Sequence, residues 1–441
     1  MVNAVDFIAR KRDNQTHSAE ELTEFIRALT RGDIPDYQTS AWLMAARING
    51  LTTAETYDLT TAIRDSGTLA CAAQRVHGRT VDKHSTGGVG DKTTLVVTPM
   101  LVACGVKLLK MSGRGLAITG GTIDKLESIP GFCTTMQPDD AIAQVNRIGS
   151  AIVASSWDLA PADGILYALR SVTATVDSIP LIASSIMSKK LAAGAASIML
   201  DVKIGSGAFM ANVEAGLQLA RLMVEIGHRA RVSTSALLTN MDLPLGRAIG
   251  NSLEVLEAVE LLVEPAAADN RLRSLCVTLA AHTLVTCGAV NSEKDAADMV
   301  EQRLADGSAA RAFEELVHAQ GGPTTLREVV ARLPRAEVVE HVRAVTGGRV
   351  SNIDAGNIGR LSVAMGAGRL TKQSPIDYSA GVVLTCSVGG LINPGDIVAE
   401  LHYSKGNDQQ LPGWKAMLLA SISLQDAELP WKEPPLVLAT V

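Results

Sequence analysis

Cysteine is sparse and scattered in this chain of 441 residues. Cys71, Cys104, Cys133, Cys276, Cys287 and Cys386 show no CxxC spacing and no clustering with histidine. That excludes a zinc site readable from spacing and points to buried thiols in a reducing compartment. Positive charge is not in excess: a net charge of -6 gives no whole-chain attraction to nucleic acid or anionic membrane, so any anion site must be local. No apolar run approaches the ~20 residues that span a bilayer. The opening MVNAVDFIARKRDNQ carries charges where a signal peptide needs an apolar core. Aromatics are scarce too, at 3%, while 47% of residues are hydrophobic, a composition rich in Ala, Val, Leu and Gly that suits a globular enzyme. There is no internal repeat and no low-complexity segment. The expectation is a soluble, cytoplasmic protein with room for two or three domains.

Along the chain the texture changes twice. HSAEELTEFIRALTRG opens with Ser18, has Glu21 three residues on and closes at Gly32, which is the grammar of a capped amphipathic helix. IPDYQTSAWLMAARING and TTAETYDLTTAIRDSG repeat it, each ending in Gly, so residues 1–66 read as a small all-helical unit. From residue 79, TVDKHS, VKLLKMS, AIVASS, SIMLDVKI and STSALLTN read as buried strands separated by helices. Such alternation predicts an α/β sheet with ligands at the strand ends. The stretch 159–194 is mostly helical, and its span 162–193 is expected to rejoin residues 1–66. That leaves 79–153 with 196–335 as the α/β domain. Residues 345–441, richer in Gly and short β-like runs, form a mixed α/β C-terminal module. The expected fold class is therefore α/β, with a small helical domain, a larger α/β domain, this module and a cleft between lobes.

The stretch STGGVGDKTT, residues 85–94, looks at first like a phosphate-wrapping P-loop, but Asp91 stands where that motif has Gly before its Lys. No Walker-B strand accompanies it. The loop still suits an anion. Lys83 and His84 precede it, Ser85 and Thr86 bring hydroxyls, and Gly87, Gly88 and Gly90 expose backbone N–H groups. Thr93 and Thr94 open the next helix. Tight packing alone is the competing explanation for such glycines, and the surrounding Lys, His and hydroxyls weigh against it.

A second loop, KMSGRGLAITGGTIDKLES, runs from Lys110 through Ser112, Gly113, Gly115, Thr119, Gly120, Gly121 and Thr122 to another helix start. Two such loops at successive strand ends can close on one compact dianion such as inorganic phosphate. Asp124 and Glu127 read as caps and solvating groups of the helix beginning there. In the helical insertion, Ser185 and Lys189 are four apart and share a helix face. With Arg170 they can hydrogen-bond a planar molecule that carries carbonyls and a ring N–H.

KHSTGGVGDKTT, MSGRGLAITGGTIDKLESIPGF, LAPADGILYALRSVTATVDSIPLIASSIMSKKLA and DVKIGSGAFM together resemble the thymidine and pyrimidine-nucleoside phosphorylases, in order along nearly the whole chain. The resemblance implies a homodimer, with dimer contacts through the helical domain. It implies phosphate on Lys83, Ser85, Thr94, Lys110, Ser112 and Thr122, and a pyrimidine against His84, Arg170, Ser185 and Lys189. The implied reaction is phosphorolysis of a pyrimidine (deoxy)nucleoside, with inorganic phosphate as co-substrate. It needs no nucleophilic side chain, redox cofactor or catalytic metal. His84 (in a protonated form), Arg170 and Lys189 are the expected catalytic groups, stabilising the departing base or donating a proton. A phosphoribosyltransferase-like enzyme of similar architecture and an inactive nucleoside-binding relative are the alternatives.

Three positions depart from the family pattern. Ala117-Ile118 replaces a Gly-His pair, which removes a closure hydrogen bond at the interdomain seam. Ser171 replaces an Asp beside Arg170, with consequences for how the guanidinium is oriented. Lys92 replaces a Thr of bacterial members that bind a monovalent cation, K+, through Gly90, Leu245, Ala248 and Glu257. The expectation set against a solvent-facing lysine is that the Lys92 ammonium substitutes for the ion by pairing with Glu257.

Overall fold

The computed structural model describes residues 3–115, 118–154, 159–369 and 374–441. Its first elements are helices α1 (Ala4–Arg12), α2 (Ala19–Arg31), α3 (Asp36–Asn49) and α4 (Thr53–Arg64). The capping grammar holds where the reciprocal pair exists: Ser18 with Glu21 opens α2, and Thr52 with Glu55 opens α4. α3 starts from Pro35 with no side-chain cap, and α4 closes at Asp65 rather than at the Gly67 of the sequence pattern.

Next come α5 (Ala72–Arg75), β1 (Val81–Ser85), α6 (Thr93–Ala103), β2 (Leu108–Ser112), α7 (Thr122–Glu127), α8 (Pro138–Ile148) and β3 (Ser150–Ala154). Helices α9 (Pro161–Arg170) and α10 (Ile179–Ala193) follow. Leu166 and Leu181 from these two pack in one apolar cluster with Phe7, Phe25, Trp42 and Leu59 of the leading helices. At the bottom of that unit Phe7 stacks on His17 at 3.7 Å, and Trp42 donates to His17 Nε2 at 3.3 Å.

The central sheet is completed by β4 (Ser197–Ile204), α11 (Val213–Arg229) and β5 (Ser233–Asn240). Strand β4 lies between β1 and β5, parallel to both, with Ser85 opposite Asp201. Strands β2 and β3 pair in parallel, and a parallel bridge between Thr80 and Lys107 joins them to the β1 edge. The C-terminal ends of β1 and β2 therefore emerge side by side, and each feeds a glycine loop and a helix. Then come β6 (Ala248–Ile249), α12 (Asn251–Val263), α13 (Asn270–Thr286), α14 (Glu293–Ala305), α15 (Ser308–Ala319) and α16 (Leu326–Arg332). The main core packs Leu95, Val96 and Met100 of α6 with Leu275 and Leu279 of α13 and Phe313 of α15. On the other side, Ile198, Leu200 and Val202 of β4 meet Met187 of α10 and Leu219 and Met223 of α11.

The remaining elements are β7 (Val338–Arg343), β8 (Gly348–Ile353), α17 (Ala355–Ala364), β9 (Gly381–Leu384), β10 (Leu391–Ile392), β11 (Ile397–Tyr403), α18 (Leu411–Ala420), β12 (Ile422–Gln425) and β13 (Val437–Thr440). They build two antiparallel sheets, in the orders β6-β9-β11-β7 and β10-β8-β12. The fold class is the expected one. The limits of the C-terminal module differ from 345–441 at both ends. β7 precedes residue 345 yet pairs with β11, and β13 returns to the central sheet, antiparallel to β5. Strand pairing across long loops is a tertiary choice that local composition does not reveal.

Glu55 ties the helical unit together. It accepts Lys11 Nζ at 2.7 Å, the His17 N–H at 3.0 Å and the Thr52 N–H at 2.8 Å, and Lys11 and Glu55 are both 2% exposed. Lys11→Ala strands that carboxylate. Removing one partner of a buried pair costs about 3–5 kcal/mol, so the urea unfolding transition of the helical unit, followed by tryptophan fluorescence, is expected at lower denaturant. Lys11→Met with Glu55→Gln, which keeps the acceptor and removes the charge, recovers part of the loss.

Candidate active site

A cavity of about 290 Å³ lies where the ends of β1 and β2 face α9 and α10. On the sheet side its wall carries Ser85, Thr94, Lys110, Ser112 and Thr122, and on the helical side Arg170, Ser185 and Lys189, with His84 between them.

Asp91 organises the first loop from within. It accepts the Ser85 hydroxyl and, at 3.2 and 2.6 Å, the N–H and hydroxyl of Thr93, while Gly87 N–H donates to Ser85 Oγ at 3.1 Å. Burial alone raises a carboxyl pKa, yet Lys203, Lys83 and Lys125 hold this one well below the usual range, so it stays ionised. Gly90, at φ 74°, sits so close to Leu245 that a Cβ would lie 2.5 Å from its carbonyl oxygen. The odd letter in the P-loop pattern is thus the hub of the loop.

In the second loop Gly115 N–H donates to Asp124 Oδ2 at 2.6 Å. Asp124 is 1% exposed and also receives Arg114 and, from the C-terminal module, Arg369, each at 3.1 Å. This corrects its reading as a solvating cap: α7 begins at Gly121 without a side-chain cap, and Asp124 is a buried clasp. Glu127 pairs with Arg114. Of the two altered positions in this loop, Ala117 lies outside the described residues. Ile118 packs against the apolar cluster of the C-terminal module that includes Val89 and Ile358, so the seam there is apolar.

On the helical side the Arg170 guanidinium donates to the carbonyls of Thr175 (3.3 Å), Leu181 (3.0 Å) and Val176 (2.8 Å). Three backbone acceptors orient it, while Asp163 and Asp177 act on its charge from further off. Ser171 turns outward and donates to Ala168 O at 2.7 Å, so the substitution leaves the guanidinium held. Lys189 Nζ donates to Ser185 Oγ at 3.1 Å and pairs with Asp163.

Three further expectations need correcting. Lys83 does not line the cavity. It is drawn beneath the first loop, where its Nζ meets Thr93 Oγ1 at 2.6 Å and Asp201 at 2.9 Å. His84 is not a cation: burial, then Lys190, Lys110, Lys83 and Lys189, push its pKa well below the ordinary value, so the imidazole is neutral at pH 7. Its Nε2 is buried with no hydrogen-bond partner among the described residues. Cys133, expected to be buried, is exposed.

Lys92 is fully buried. Its Nζ lies 2.8 Å from Leu245 O, 2.9 Å from Ala248 O and 2.6 Å from Glu257 Oε2. One helical turn away, Lys125 Nζ meets Glu254 at 2.7 Å and the Asp91 carbonyl at 2.7 Å. Glutamates at i and i+3 of α12 thus grip both sides of the Gly90–Lys92 turn.

Sequence reasoning missed Asp82, Asp163 and Lys190. Lys190 lines the cavity and pairs with Asp82 at 2.8 Å. A carboxylate inside VDKHS, read as a buried strand, was the available signal, since such a group needs a buried cation. Nothing in the sequence says which cation.

Family matches make this chain a glycosyl transferase with a helical and an α/β part. Residues 77–310 match the family model "Glycosyl transferase family, a/b domain", and residues 5–67 match "Glycosyl transferase family, helical bundle domain". Residues 349–417 match "Pyrimidine nucleoside phosphorylase C-terminal domain". The pyrimidine-nucleoside phosphorylase of Geobacillus stearothermophilus is 44% identical over 98% of this chain and 98% of its own length. That of Staphylococcus haemolyticus is 45% identical over 91% and 92%. The chain belongs to the pyrimidine-nucleoside phosphorylase family. A crystal structure of anthranilate phosphoribosyltransferase from Thermus thermophilus superposes with a TM-score of 0.55, covering 72% of this chain and 99% of that one. At 18% identity this shows the shared fold alone.

Proposed function

We propose that this protein catalyses reversible phosphorolysis of pyrimidine (deoxy)nucleosides. A phosphate oxygen forms the bond to C1′ as the C1′–N1 bond breaks. The electron pair leaves with the base, and an α-sugar 1-phosphate forms with inversion. In this reading the α/β part (79–153 with 196–335) presents phosphate from Ser85, Thr94, Lys110, Ser112 and Thr122. The helical part (1–66 with 162–193) receives the base. Holding both substrates across one cavity removes much of the entropic barrier.

The observation that carries the reading is Arg170, a buried guanidinium on the cavity wall held by carbonyls alone, facing two hydroxyl-rich loops. Its hydrogen bonds go to neutral acceptors, so it can stabilise the anion that develops on the departing base. Lys189 and Ser185 supply further donors, and neutral His84 acts as a hydrogen-bonding partner. The Lys83–Asp201 pair supports the first loop through Thr93. The unpaired thiols fit a reducing, cytoplasmic setting.

Chromatography of uridine and thymidine reactions with and without phosphate tests this. Release of free base only with phosphate is expected. Release that requires pyrophosphate and magnesium favours the transferase, and no release across a pyrimidine panel favours a binding module. Arg170→Ala is expected to lower kcat/KM by roughly 10²-fold, the scale of losing one transition-state donor.

The Lys92 ammonium takes the place of the monovalent cation, since its three acceptors, on Leu245, Ala248 and Glu257, are among the four positions the resemblance gives to the ion. Equal rates in potassium and tetramethylammonium buffers are expected, with potassium dependence appearing in Lys92→Thr. A potassium requirement in the unaltered enzyme overturns the substitution.

A second copy of the chain covers the helical unit. Tyr37, Met44 and Ile48, exposed at 73%, 37% and 72%, fall at spacings of one helical face, with Val5 exposed on α1 and Val172 in the turn after α9. Sedimentation is expected to give a dimer, and Ile48→Asp a lighter species. A monomeric unaltered protein rules this out.

A further inference from the structure

Two buried ammonium groups share a single carboxylate beside the cavity. Asp82 is fully buried; Lys190 Nζ reaches it from α10 at 2.8 Å and Lys110 Nζ from β2 at 3.3 Å. Both lysines also donate to the Met111 carbonyl, at 3.2 and 3.4 Å, and both line the cavity at 3% exposure. The neighbouring charges are matched: Lys83 and Lys203 face Asp201 and Asp91, and Lys189 faces Asp163. The Asp82 cluster, with two ammonium groups to one carboxylate, carries a surplus cation. A lysine in that position responds by giving up its proton.

The groups facing Lys110 can be named element by element. β1 brings Asp82, Lys83 and the neutral His84, and α10 brings Lys190. β3, with the sequence SAIVA, brings no charge, and Asp139, Asp140 and Arg147 of α8 are exposed. Burial first, and then repulsion from Lys190 and Lys83 against the attraction of Asp82, bring the Lys110 pKa down to about 7.

We propose that Lys110 takes up a proton as the oxyanion binds, and that Asp82 and Lys190 are positioning residues that set the pH at which it does so. The proposal rests on the phosphate reading of this cavity. A dianion beside Lys110 supplies the missing negative charge, so one proton moves from solvent to Lys110 Nζ and no bond other than N–H is made. The same cations keep His84 neutral. Anion affinity is therefore coupled to pH through a group that is not the substrate.

Sulfate, which does not titrate in the neutral and alkaline range, separates this effect from the ionisation of phosphate itself. The measurement is the sulfate inhibition constant against phosphate as a function of pH. In the unaltered enzyme it is expected to bend near neutrality and then rise about tenfold per pH unit, the slope of one linked proton. Lys190→Met removes a repelling charge and moves the bend to higher pH; Lys190→Arg leaves it in place. Asp82→Asn removes an attracting charge and moves it to lower pH. Bends that stay put, or that move the same way in Lys190→Met and Asp82→Asn, overturn the proposal.

A second measurement needs only the unaltered protein. Calorimetry of sulfate binding above the bend, in buffers of different ionisation enthalpy, is expected to report uptake of about one proton per anion. Competition by sulfate without proton uptake overturns the linkage and leaves the phosphate reading standing. Absence of competition, with phosphate KM unchanged in Lys110→Met, removes both.

Discussion

The ammonium groups buried around the strand ends must each meet negative charge, because an ion taken out of water unpaired is far too costly to hold. Lys83 and Lys203 meet Asp201, Lys92 meets Glu257, Lys125 meets Glu254, and Lys110 with Lys190 meets Asp82. These pairs join β1 to β2, β4 and α10, and α12 to α7 and to the turn that opens α6. They fix the backbone from which both glycine loops spring.

One consequence is a loop already shaped for its ligand. Asp91 gathers Ser85 and Thr93 below the turn, while two glutamates of α12 hold the turn from outside through Lys92 and Lys125. The second loop is clasped at Asp124, which also receives Arg369 from the C-terminal module. Groups held this way lose little further freedom when an anion arrives. The helical side is organised differently: Arg170 is held by neutral carbonyls and so can meet an anion that enters the cavity.

Much of this was legible, and the illegible part has a common cause. Capping boxes at Ser18 and Thr52, the five central strands and the two glycine loops depend on neighbours a few residues apart, which a sequence displays directly. The Lys92 pairing was legible by comparison with a family pattern. The direction of Lys83 and the neutrality of His84 were not. The first follows from the partners Thr93 and Asp201 that lie beneath the first loop, and the second from lysines that arrive on β2 and α10. Asp124 looked like a helix cap because its partner Arg369 stands 245 residues away.

By itself the sequence determined the α/β class, the helical unit, the two anion-suited loops and the family. Each is written in short-range pattern or in motifs read in order. Only the tertiary structure decided which cations are neutralised and which keep free charge. Asp82 lies 28 residues from Lys110, and Lys125 finds Glu254 on a helix far along the chain. Coulomb attraction between such groups acts across a few ångströms of protein interior, a separation that exists only once the strands and helices have packed.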